Sequence, residues 1–198
     1  MDMPVVPGLR ACLLCGGMSR RMGRDKSLLP HPNGGCWLTH SIGLCRHLRL
    51  PVDVISSISA HQQLASTFEG VACKPDPCPG QGPLSALSAV FGQVKSHAFL
   101  VLPVDMPWLE PSILLQLIDA WQEQPSLAVV SQDGRQLQPL FAIYPNDSTY
   151  QNPLRSQLAA HRLSMHDWLR RVPYRMLALP KEALRNVNCP KDLGTLEV

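Results

Sequence analysis

The run "AFLVLPVD", residues 98–105, limits what this chain can fold into more than any other stretch. Apolar residues follow one another without the alternation of a half-exposed strand, and the run stops at an aspartate. A strand of that kind is buried on both faces, as in a mostly parallel sheet covered by helices on each side. The rest of the sequence supplies matching pieces. Further strand-like runs lie at 9–15, 52–57, 71–74, 127–132, 137–144 and 175–178. Helix-like runs fall between them, at 38–49, 61–68, 84–94, 111–122, 152–160 and 165–171, with a short C-terminal helix after Pro190. In the first of these Ile42, Cys45 and Leu48 share one face. Pro51 ends it, and Pro111 suits a helix start. Residues 75–83, "PDPCPGQGP", read as a loop, and Asp133–Gly134 as a hairpin turn. Strands alternating with helices predict an α/β fold of three layers, α/β/α and Rossmann-like, with helices on both faces of the sheet.

Composition narrows the function classes. Of 198 residues, 45% are hydrophobic and 17% charged, as in ordinary globular proteins, so one domain with a real core is expected. A formal net charge of +3 is too small for a nucleic-acid-binding surface, and the basic residues do not run along one helix; a small anion suits it better. The N-terminal "MDMPVVPGLR" has no targeting pattern, and no apolar stretch approaches the ~20 residues of a membrane span. A cytoplasmic protein with no membrane partner is expected. The seven cysteines are odd in number and show no disulfide framework. Cys12 and Cys15 form a C-x-x-C, for which a zinc or redox role competes with a plain core reading. No second such cluster completes a metal set, and Cys12 lies inside an apolar run.

Sheets of this class bind ligands at the carboxyl ends of their strands. The residues there are Gly16, Gly17 and a cluster of cations after the first strand, and Ser56 and Ser57 after the second. Asp76, Gly80 and Gly82 follow the third, and Asp105 the fourth. The first loop, "LLCGGMSRRMGRDK", can open its backbone to an anion and surround it with Arg20, Arg21, Arg24 and Lys26. It is no P-loop, because Gly17 and Gly23 are one residue too far apart and Arg24 and Asp25 precede Lys26. It also lacks the G-x-G-x-x-G of dinucleotide sites.

That loop closely resembles the nucleotidyltransferase signature L-A-G-G-x-S-x-R-M-G-x-D-K. Four later segments extend the resemblance over nearly the whole chain: "KPDPCPGQGPLSAL", "LVLPVDMPWL", "QPLFAIYP" and "NVNCPKDL". In that order they are similar to the motifs of the molybdenum cofactor guanylyltransferase family, departing at Cys15, where the family has Ala. The resemblance implies a single nucleotidyltransferase domain over 1–198, its N-terminal part binding nucleotide and its C-terminal part the acceptor. It implies transfer of GMP from GTP to the phosphate of molybdopterin or molybdenum cofactor, with Mg2+ as cofactor and pyrophosphate as the leaving product. Other cofactor-pathway proteins and molybdoenzymes are the further partners it implies.

The same resemblance assigns roles. Lys26 serves the triphosphate, where a solvated surface lysine is the plainer reading. Asp105 holds the metal, with a helix N-cap near Pro107 as the competing role. Leu14, Cys15, Gly16 and Gly17 lie against the nucleotide through their main chain, with Ser56, Asp76 and Gly82 also on that side. For Asp76 the alternative is an Asx turn before Pro77. Asn186 and Asn188 carry the C-terminal motif and face the acceptor, Asn188 also joining the metal; a turn or cap ahead of Pro190 is their other reading. Arg162, and more weakly Arg135, are expected on the acceptor side. Which of Arg20, Arg21 and Arg24 touches phosphate stays open. No Ser/His/Asp or Cys/His set asks for a covalent intermediate, and His61, His97, His161 and His166 show no ligand spacing. Trp108 and Trp168 are expected to pack rather than stack on a base. A cytidylyltransferase of the same pathway, a sugar-phosphate nucleotidyltransferase, or a non-catalytic nucleotide sensor on the same fold are the competing functions.

Overall fold

The computed structural model describes residues 6–15, 25–92 and 95–187. Gly16, Gly17, Arg20, Arg21, Arg24, Asn188 and the expected helix after Pro190 lie outside the described residues. The strands are β1 (Leu9–Leu14), β2 (Val52–Ile55), β3 (Val71–Lys74), β4 (Ala98–Pro103), β5 (Ala128–Asp133), β6 (Gln136–Pro145) and β7 (Tyr174–Ala178). They form one sheet in the order β3-β2-β1-β4-β6-β5-β7. Among the described residues β6 alone runs against the others, antiparallel to both β4 and β5. It does so because Gly134, at φ +63°, turns β5 back into β6 as a hairpin. The helices are α1 (Trp37–His47), α2 (Ser59–Ser66), α3 (Pro83–Leu87), α4 (Pro111–Glu123), α5 (Ser148–Ala159) and α6 (Met165–Leu169).

Why β4 carries no alternation is plain from its place. Every one of its residues is buried. Ala98, Leu100 and Leu102 pack in one core with Leu38 and Ile42 of α1, Ala65 of α2 and Leu114 and Leu117 of α4. Phe99 and Val101 face the opposite core, with Leu84 of α3, Tyr150 of α5 and Trp168 of α6. Each buried Leu, Ile, Val or Phe among them contributes about 1.5–3 kcal/mol of transfer free energy. Trp168 is a packing residue as expected, edge-on to Phe91 at 6.0 Å and tilted against Tyr144 at 4.8 Å.

Two helices differ from expectation. The run at 84–94 is helical only as Pro83–Leu87, after which i to i+3 bonds and Gly92, at φ +75°, turn the chain. The helix expected from 152 begins at Ser148, because Asp147 caps it by accepting the Thr149 amide at 2.7 Å. Pro153 sits inside that helix rather than at its start. No helix of the described residues is long and apolar enough to cross a membrane.

The topology locates a cleft. From β1 the chain steps outward to β2 and β3 through α1 and α2, which pack on one face. It then returns through α3 on the other face to β4, on the far side of β1. Strand order therefore reverses between β1 and β4, and their carboxyl ends flank the crevice where open α/β sheets bind ligands.

Candidate active site

Both strands at the switch point lead to charged groups. Beyond β1, Asp25 accepts the Ser27 amide on Oδ1 at 2.9 Å and so caps a single 3-10 turn, Lys26–Leu28. The turn presents Lys26 to Asp105, which follows β4: Nζ stands 3.5 Å from Asp105 Oδ2 and donates to the Val187 carbonyl at 2.8 Å. The Val187 amide donates in turn to the Asp105 carbonyl at 2.9 Å, so the last described residues tie the two groups together. Both side chains keep some access, 15% for Lys26 and 27% for Asp105. Burial pushes the Asp105 carboxyl above its ordinary value, and the charge and hydrogen bond of Lys26 offset this only in part.

Such a carboxylate suits a small hard cation. Among the described residues no three His, Cys, Asp or Glu gather as a metal cluster. A metal site at Asp105 would suit magnesium, which takes few protein carboxylates and completes its shell largely with substrate oxygens and water. Asn188, the second expected ligand, lies outside the described residues. The two thiols of the C-x-x-C point to opposite faces of β1, Cys12 into one core and Cys15 into the other, so they share no metal. The Cys15 thiol is pushed well up, by burial first and by the Asp25 charge next.

The nucleotide-side residues separate. Leu14 and Cys15 end β1 at the crevice, the Cys15 amide bonded to the Ile55 carbonyl at 3.3 Å. Gly82 stands at the start of α3 with φ +85° and open space where a Cβ would be, so backbone there is accessible. Asp76 is buried, and its Oδ1 accepts the Cys78 amide at 3.0 Å, which is the Asx-turn arrangement. Ser56 differs from expectation. It is 1% exposed, and its hydroxyl contacts His61 Nδ1 at 2.8 Å and accepts the Ile58 amide at 3.1 Å. Its amide donates to Lys74 O and its carbonyl accepts the Cys73 thiol, so it braces the wall rather than offering a free group.

A cavity of about 440 Å³ opens beside Asp105. Asn186, Gln136, Gln138, Ser164 and His166 supply its polar lining. Asn186 lines this cavity with Asp105, whereas Arg162 and Arg135 are exposed and outside the lining. Trp108 is half-buried against Leu29, Trp37 and Val187, with the Arg185 guanidinium 5.0 Å over its ring.

Sequence reading missed several supports. His31 and His40 stack at 3.8 Å, and their Nε2 atoms meet the carbonyls of Pro107 and Leu109 at 3.0 and 3.2 Å. They fasten the segment after Asp105 to the connection that carries Lys26. The His40 ring is held below its ordinary value by burial and then by the neighbouring His31. A Ser–His–Asp row also exists, though none that asks for a covalent intermediate: His61, fully buried, reaches Asp25 Oδ2 with Nε2 at 2.9 Å and Ser56 with Nδ1. Spacing 25–56–61 gives no local signal for it.

Comparison with known proteins places this geometry. A family profile described as MobA-like NTP transferase domain matches residues 11–182. A probable molybdenum cofactor guanylyltransferase of Rhodopirellula baltica is 38% identical over 192 residues, covering 95% of this chain and 91% of that protein. A molybdenum cofactor guanylyltransferase of Shewanella frigidimarina is 28% identical, covering 95% of each chain. In fold, the chain is similar to the crystal structure of molybdopterin-guanine dinucleotide biosynthesis protein A from Archaeoglobus fulgidus. The TM-score is 0.75 at 18% identity, over 95% of this chain and 96% of that one.

Proposed function

The chain belongs to the MobA-like NTP transferase family, and from that premise we propose that it transfers GMP from GTP to the phosphate of molybdopterin or molybdenum cofactor. Pyrophosphate leaves and a guanine dinucleotide forms. The observation that carries this is the Lys26–Asp105 pair at the β1/β4 switch point, opening onto a cavity lined by Asn186. The relatives named molybdenum cofactor guanylyltransferase support GTP as the nucleotide.

An acceptor phosphate oxygen attacks the α-phosphorus, one P–O bond forms, and the bond to the bridging oxygen of pyrophosphate breaks. Two anions meet in this step, so positioning and charge neutralisation are the chief work. Lys26 neutralises phosphate charge while Val187 holds its ammonium in place. Asp105, with Asn188, would hold magnesium, which when bound neutralises the triphosphate and orients it for in-line attack. Leu14, Cys15, Gly16 and Gly17 offer main chain to the nucleotide, and Gly82 leaves its backbone open on the same side. Asp76 shapes the wall there through its turn, and Ser56 stiffens that wall from behind. Asn186 and Asn188 meet the acceptor, and Arg162, exposed outside the cavity lining, is the further candidate on that side. One domain serves both substrates, and the product passes on to molybdoenzymes with the help of other cofactor-pathway proteins.

Pyrophosphate release measured with molybdopterin and GTP, CTP or UTP tests the reading. GTP is expected to be used strongly over the others. Equal turnover with CTP removes the guanine assignment and leaves a cytidylyltransferase.

A further inference from the structure

Behind the turn that carries Lys26, the chain Ser56–His61–Asp25 has the residue types of a hydrolase triad but not its access. Ser56 is 1% exposed, and its hydroxyl already accepts the Ile58 amide, so it has no room to attack a substrate. The other end of the chain is the informative one. Asp25 divides its carboxylate: Oδ2 lies 2.9 Å from His61 Nε2, and Oδ1 accepts the Ser27 amide at 2.9 Å. The second of those contacts caps the 3-10 turn that presents Lys26.

Resting on the nucleotidyltransferase reading, we propose that His61 is a positioning residue: through Asp25 it fixes the turn that aims Lys26 and keeps the aspartate from competing with phosphate for the lysine. Asp25 is the chain neighbour of Lys26, and an unheld carboxylate there could fold onto the ammonium. With both oxygens engaged it does not. The Asp25 carboxyl lies below its ordinary range: burial raises it, and the neighbouring His61 and the Ser27 amide outweigh that. Nε2 stands at contact distance from Oδ2, 2.9 Å, without an aligned hydrogen bond, so the brace rests on the close approach itself. The brace runs from the exit of β2, through the start of α2, to the loop after β1. It thereby links the nucleotide wall to the phosphate cation.

Two substitutions separate positioning from packing. His61→Gln can place an amide N–H where Nε2 stands and keep the Asp25 contact; His61→Asn can replace Nδ1 only, and keeps the Ser56 contact instead. Both remove part of a buried ring and should lower the thermal midpoint comparably. The Asn variant is expected to lose about tenfold in kcat for GTP-dependent pyrophosphate release, with KM changing less, as for one lost charge-assisted contact. Its Ser27 amide should exchange with solvent about tenfold faster. The Gln variant should stay near wild type in both. If the two variants fall together, in step with their thermal midpoints, His61 is only a core residue. If the wild type itself releases no pyrophosphate from GTP, the functional reading fails, and Ser27 exchange alone decides: separation of Asn from Gln upholds the brace, and equal exchange overturns it.

Discussion

Asp53 and Asp105 belong to strands two apart in one sheet, and each has a lysine beside it. Around Asp53, in the middle of β2, the charge is fully matched. Lys74 meets Oδ2 at 2.8 Å, Arg10 meets Oδ1 at 3.2 Å, and the carboxylate is sealed from water. At the end of β4 the match is incomplete. Asp105 has Lys26 at 3.5 Å, keeps 27% of its side chain exposed, and has its carboxyl raised by burial. A charge with two close partners needs nothing more and serves the fold. A charge left short beside a cavity can gain from a cation or a substrate, which suits the chemistry proposed for it.

The contrast can be broken in three ways, in falling order of effect. Asp105→Asn should cut pyrophosphate release by about a thousandfold or more, because on the proposed role the charge that would hold the metal is gone. Residual activity within tenfold of wild type would remove Asp105 from the mechanism. Asp53→Asn should do the reverse. Urea unfolding should show a loss on the order of 2–3 kcal/mol, since two cations lose their shared counter-charge. That figure sits below the usual cost of a broken buried pair because Arg10 and Lys74 stay 25% and 28% exposed. Turnover per folded molecule should stay unchanged, and a specific drop in kcat would refute the structural role.

The third test uses pH. The raised Asp105 value means that the folded protein binds this proton more tightly than the unfolded chain. Its contribution is favourable below the ordinary aspartate range and is lost as pH rises through the folded value. Asp105→Asn should therefore melt higher than wild type at neutral pH, with the gain vanishing in acid. Asp25 is held below its ordinary value, so its contribution is present above that value and is lost as pH falls through the lowered one. Asp25→Asn should melt lower at neutral pH, with the deficit closing in acid. Thermal midpoints of both variants from neutral to acid pH check the pair of signs, and shifts in the same direction would undo the contrast.

The line from sequence to site was partly open. The run at 98–105 announced a strand buried on both faces, and the residues at strand ends pointed to one rim. Lys26 and Asp105 meet although 79 positions separate them. That juxtaposition depends on strand order, which local pattern does not encode; it emerges from the return of the chain through α3. The start of α5 was hidden because Pro153 looked like a helix opening, while Asp147 held the cap. Ser56 aligned with a nucleotide contact by position, but whether a hydroxyl faces outward or into a neighbour is a matter of packing. His31, His40 and His61 escaped because their work is done at second remove from the substrate, with partners far along the chain. The Val187 carbonyl could not have been found, since backbone carries no residue signature.

Val187 also sets an order in time. Its carbonyl receives the Lys26 ammonium across 161 positions of sequence, and its amide reaches back to Asp105. During synthesis the strands β1 to β4 can pair, and the lysine and aspartate can come close, while the ribosome is still adding later residues. Until residue 187 has emerged, that lysine lacks the carbonyl that holds it. A nascent chain can thus pair β1 to β4 before it owns its active site, and competence waits for residue 187.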